Sequence, residues 1–147
     1  MKRMLCSLVL VIMMSTTGLL VGSKSASAGP ITFAELQQEL QSSEWEGTWT
    51  WESPAGGWSS GPAKLSLTMT GDNTLYAQIS IYESGQGDYT FRVWGTTSGN
   101  TMELKKRTSE TVLSLSEENG ELVLRGNYKI IGGFYAGETG SYYFKKK

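Results

Sequence analysis

Histidine is absent from the 147 residues, and cysteine occurs once, at Cys6. Histidine is the common general base and metal ligand, and cysteine a common nucleophile and soft ligand. Their scarcity argues against Ser-His-Asp and Cys-His catalysis, haem ligation and ordinary zinc sites. Proline is also scarce, at three residues, whereas glycine is plentiful at 18. The sequence therefore points to no cofactor and no metal, and a fold without disulfides must rest on its apolar core.

The one long apolar run lies at the start. Lys2 and Arg3 precede a stretch from Leu5 to Val21, and Ala26-Ser27-Ala28 follows with small residues where a signal peptidase reads. This order of charge, apolar run and Ala-x-Ala is that of a cleaved export signal, with the cut expected after Ala28. Cys6 lies at the start of the run instead of closing it, which argues against a lipid-modified cysteine. The expected product is exported, periplasmic or extracellular, with no stable membrane anchor after cleavage. All 14 acidic residues follow position 28, with 10 of the 13 basic ones, so the remainder carries a net charge near −4. Such a balance gives no electrostatic footprint for nucleic acid.

Residues 29–44 read as an N-terminal segment with a short helix, and 45–147 as one β-domain. Thr32 and Glu35 have capping-box spacing, and Phe33, Leu36 and Leu40 recur at helical spacing over about ten residues. From Trp45 the period becomes two. Eight strands are expected, over 47–52, 63–70, 75–84, 89–97, 101–108, 111–117, 121–131 and 139–146. Turn residues separate them, among them Gly71-Asp72-Asn73, Gly85-Gln86-Gly87, Ser98-Gly99-Asn100, Glu118-Asn119-Gly120 and Gly132-Gly133. Connections this short join antiparallel neighbours, and closing the meander removes its two edges. The expected fold is all-β: an eight-stranded antiparallel up-and-down barrel with a short N-terminal helix.

Leu65, Leu67, Met69, Met102, Leu104, Leu113, Leu115, Leu122, Leu124, Tyr142 and Phe144 form the expected inward rows. The strand 75–84 is ambiguous, because Ala77, Ile79 and Ile81 compete with Tyr76, Gln78, Ser80 and Tyr82. Trp58 falls in a glycine-rich loop from Ser53 to Pro62. The charge runs Lys105-Lys106-Arg107 and Lys145-Lys146-Lys147 read as solubility and edge protection, or as contacts for anionic polymers or lipids. Paired carboxylates are the one catalytic chemistry left open. Glu46, Glu52, Asp72, Glu83 and Asp88 have no spacing that pairs them across a cleft, so an enzyme, here a carboxylate-based hydrolase, is not expected.

Gly47-Thr48-Trp49, after a short helix and on the first strand of an eight-stranded meander, resembles the opening of the calycin superfamily of lipocalins and avidins. The resemblance implies that Gly47 and Trp49 close one end of a lipocalin-like barrel. Trp51 stands where avidins carry an asparagine, and no aspartate lies on the final strand, although Tyr82-Glu83-Ser84 is similar to the avidin Tyr-x-Ser. Biotin is therefore not the implied ligand. Only Lys145 or Lys146 could replace the arginine that lipocalins stack on the sealing Trp. Two functions remain open: an exported non-catalytic barrel binding a small apolar or aromatic ligand inside, or an envelope or secreted interaction or inhibitor protein with a filled barrel, acting on a protein partner through loops. For the first, Trp51, Trp58, Tyr82 and Trp94 are the candidate ligand-binding residues, around a mouth opposite the helix.

Overall fold

The computed structural model describes residues 29–147; the expected signal peptide, residues 1–28, lies outside the described residues. The elements are β1 (Gly29–Pro30), α1 (Gln37–Leu40), β2 (Ser42–Glu52), β3 (Trp58–Met69), β4 (Thr74–Glu83), β5 (Gly87–Ser98), β6 (Thr101–Lys106), β7 (Ser109–Glu118), β8 (Glu121–Ile130) and β9 (Thr139–Lys146). Strands β2 to β9 run as an antiparallel meander, and β9 pairs back on β2 to close it. The two residues of β1 pair with Ser116 and Glu117 on β7, past the end of β6.

The register fixes the shape of the barrel. A cross-strand row that starts at Ser42 passes through Thr68, Tyr76, Trp94, Lys105, Glu110, Lys129 and Thr139 and returns to β2 at Glu52, ten residues along. That stagger is about 33 Å around a girdle of about 38 Å, so the strands tilt by about 40°.

Alternation decides what fills the barrel. On β4, Leu75, Ala77 and Ile79 are buried and Ile81 packs on the core, so Tyr76, Gln78, Ser80 and Tyr82 take the outer face. This resolves the ambiguous strand. Strand β8 departs from its expected alternation: Val123 is fully buried beside Leu124, while Leu122 is only partly so.

Three expected boundaries differ: β2 begins at Ser42 instead of Gly47, and the helix and the early loop are both shorter than expected. The helix is four residues long instead of about ten. Thr32 and Glu35 do form the capping box, with Glu35 Oε2 accepting from Thr32 N at 2.7 Å and Thr32 Oγ1 accepting from Glu35 N at 3.2 Å. The chain then runs through a turn, and Leu40 N reaches back to Leu36 O at 2.9 Å to open the short helix. Phe33 N is bonded to Gly99 O, so contact with the barrel, instead of helix propensity, sets this path. Phe33 and Leu40 are buried, and Lys146 pairs with Glu39 at 3.4 Å, fixing the segment across this end of the barrel. The loop expected over 53–62 spans only 53–57. Trp58 to Pro62 belong to β3, opposite Glu52 to Thr48, because the eleven-residue β2 is long enough to pair with all of them.

Candidate functional site

The barrel end away from α1 carries the connections 53–57, 84–86, 107–108 and 131–138. Beneath it the inward rows set glycines beside the large side chains. One row reads Leu113, Gly126, Tyr142, Trp49, Gly61; the next, toward the mouth, reads Thr111, Tyr128, Gly140, Trp51, Ser59. Each ring lies beside a neighbour with no side chain, which is how a narrow barrel accommodates several indoles and phenols.

The glycines also let two rings cross a strand. The ladder between β3 and β4 ends at Ala63 and Ile81, leaving the Tyr82 carbonyl beyond it. Trp49 Nε1 donates to that oxygen at 3.1 Å, passing over Gly61. A Cβ on Gly61 would lie 2.2 Å from the same oxygen and 3.0 Å from Trp49 Nε1. Tyr128 repeats the device. Its hydroxyl donates to Thr50 O at 2.8 Å, over Gly140, where a Cβ would lie 2.3 Å from that hydroxyl oxygen. Burial pushes the Tyr128 phenol above the ordinary tyrosine range, with Glu138 adding to the effect. Tyr142 moves the same way, from burial first and then from Tyr128.

The four candidate ligand-binding residues are not brought together around the mouth. Trp51 does point inward there, where its Nε1 donates to Glu138 Oε2 at 2.5 Å. Trp58, 64% exposed, stands on the outer face at the start of β3. Tyr82 is also on the outer face, for the alternation reason given above. Trp94, again 64% exposed, lies outside on β5 against Tyr76, ring centroids 4.9 Å apart, because Phe91 and Val93 take the inward positions. The two residues expected to close the barrel occupy different heights. Gly47 approaches β9 so closely that a Cβ would meet the Tyr143 carbonyl. Trp49 is buried at mid-barrel and directed toward the mouth, whereas the indole nearest the helix is that of Trp45, bonded to Ser43 Oγ at 2.9 Å.

The mouth is lined by polar as well as aromatic groups. Ser59 Oγ donates to Glu83 at 3.3 Å, and the Lys106 ammonium lies 5.4 Å from the Phe91 ring centre. Of the remaining candidate carboxylates, Glu46 is held below the usual range by Lys147 at 2.6 Å, and Asp72 accepts weakly from Gln37; both are at the helix end.

The most exposed aromatic was not among the candidates. Phe134, 95% exposed, and Tyr135, 58% exposed, form the tip of the loop Ile131–Glu138, their rings edge-on at 5.2 Å. Ala136 N bonds to Gly133 O and Gly137 N to Ile130 O, so the tip is a closed turn. Gly133 and Gly137 take φ of 83° and 95°, which the turn needs. The sequence signal was present: two adjacent aromatics between glycines, in a segment read only as a Gly-Gly turn.

No protein-family model matches the chain, and no curated protein matches it significantly.

Proposed function

We propose that this is an exported, non-catalytic binding protein of calycin-like architecture whose filled barrel is a rigid scaffold for a surface at its open end. The observation that carries the reading is the pairing of inward rows occupied by Trp49, Trp51, Tyr128 and Tyr142 with an outward display of Trp58, Phe134 and Tyr135 at the same end. Phe134 and Tyr135 are in contact, with Trp58 on the same end of the scaffold, and exposed aromatics of this kind mark interaction surfaces because each buries much area with little loss of side-chain freedom. Calycin membership rests on Gly47-Thr48-Trp49 and the closed meander. The close approach at Gly47 gives its glycine a physical reason.

The second reading is a small apolar or aromatic ligand at the interior. It draws support from Trp51, Ile81, Phe91 and Tyr128, which are only partly buried and could floor a shallow site in the mouth. Titration with a small aromatic probe, read by tryptophan emission, separates the two. On the first reading the wild type shows no saturable quenching, whereas Trp51→Ala opens a cavity that admits the probe. Saturable wild-type quenching that is untouched by Trp58→Ala and Phe134→Ser would establish the interior site instead.

A further inference from the structure

We propose that the open end docks reversibly on anionic lipid, with Phe134 and Tyr135 entering the headgroup layer and Lys106, Arg107 and Lys129 neutralising lipid charge. This deepens the surface-binding reading and rests on it. The loop Ile131–Glu138 is fastened to the neighbouring turn, since Ile131 N donates to Thr108 O at 2.9 Å. That turn carries Lys106 and Arg107, and Lys129 is the penultimate residue of β8. None of these three cations has a carboxylate partner within ion-pair distance among the described residues; Lys105 does, in Glu103 at 3.5 Å. Ile131 is exposed as well, so an apolar tip and a set of available cations share one corner of the barrel.

The open end also carries carboxylates: Glu83, the acceptor of Ser59, and Asp88 stand on the β4–β5 hairpin, and three others lie nearer this corner. Glu138 faces into the mouth as the acceptor of Trp51, and Glu110 stands in register between Lys105 and Lys129. Glu52 is separated from Lys129 by Thr139 in its cross-strand row. Aromatic side chains settle at the boundary between headgroups and acyl chains, and each lysine or arginine near an anionic surface adds attraction that salt screens. An aromatic knuckle beside unpaired cations fits that boundary better than a protein surface of unspecified charge.

The test is sedimentation with vesicles of phosphatidylglycerol and phosphatidylcholine against vesicles of phosphatidylcholine alone. It uses exported protein with its N-terminus checked by intact mass, and variants in the same background. Wild type should partition onto the anionic vesicles and release as salt rises. Arg107→Glu and Lys129→Glu should each lower the partition coefficient about fivefold or more, and Phe134→Ser about tenfold. The thermal midpoint of every variant should match wild type, since all three side chains project from the fold. Equal binding to both vesicle types, binding indifferent to these substitutions, or no binding by folded wild type would each overturn the lipid proposal. None of those results touches the surface-binding reading, which falls only if the aromatic probe saturates an interior site.

Discussion

Single residues divide sharply here between those that fill the barrel and those that stand on it. Trp49 is buried, bonded through its indole to Tyr82 O and flanked by Gly61 and Tyr142 in its row. Trp49→Ala should therefore cost about 3–5 kcal/mol in a urea titration, the range for deleting a large core aromatic. Trp58→Ala, on the outer face, should change the same midpoint by no more than about 0.5 kcal/mol. Equal losses from the two would mean that the division between inside and outside is misdrawn. Gly61→Ala offers a finer test, because the added methyl meets a carbonyl of the barrel wall instead of a flexible side chain. A loss of about 1–3 kcal/mol is expected, with Trp49 emission shifted as its hydrogen bond to Tyr82 O is disturbed. An unaltered spectrum would show that the indole does not depend on this glycine.

Among the elements, the N-terminal segment shows how tertiary contact outweighs propensity. Its capping box formed as the spacing of Thr32 and Glu35 implied, and the carboxylate is held below its ordinary range by the Thr32 amide first and its hydroxyl second. The box ends in a turn and one helical turn, because Phe33 and Leu40 must both reach the barrel while the chain reverses into β2. Thr32→Ala should cost about 1 kcal/mol and loosen this segment alone, seen as faster amide exchange at Glu35 while the barrel amides stay protected. Uniform loss of protection throughout the barrel would show that the segment is integral to the cooperative unit. The same scale explains the misplaced loop. The glycines around Trp58 suggest a loop, but pairing with β2 extends the strand back from Ala63 to Trp58.

For the molecule as a whole, the absence of histidine shapes the response to pH. Apart from a free α-amino group, the described residues include no side chain that ordinarily titrates between about pH 5 and 9. Stability should be level across that window. Tyr128 and Tyr142 have folded-state values raised by burial, so their contribution is complete below the unfolded value of about 10 and is lost as pH climbs from there toward the higher folded values. Lys145 and Lys147, raised by Glu121 and Glu46, add a loss of the same sign as pH rises through their folded values. Glu35 and Glu46 are lowered, so their contribution is present above about pH 4.5 and disappears as pH falls through the folded values. These surface pairs contribute little. Denaturation midpoints at intervals from pH 3 to 11 should trace a plateau with a steep alkaline edge, and Tyr142→Phe should soften that edge. An edge unchanged in this variant would remove the buried phenol as its cause.

Much of the architecture was legible in the sequence for reasons that are local. Alternation in Leu65 to Met69 and Met102 to Leu104, punctuated by Gly-Asp-Asn and Asn-Gly turns, is enough to specify strands, their antiparallel order and a meander that closes to protect its edges. Only the tertiary structure decided which face of β4 turns inward, since both faces offered apolar side chains and the choice depends on what the other strands place opposite. The interior was likewise beyond local reading. Trp49 reaches Tyr82 O over Gly61 through the registers of β2 with β3 and of β3 with β4, and Tyr128 reaches Thr50 O over Gly140 because closure pairs β9 with β2. The corner that joins Phe134 to Arg107 has the same origin. Its two segments lie over twenty positions apart in sequence, and the pairing of β7 with β8 brings them side by side. Periodicity and turn chemistry act over a few residues, while register and side-chain volume act around the whole circumference.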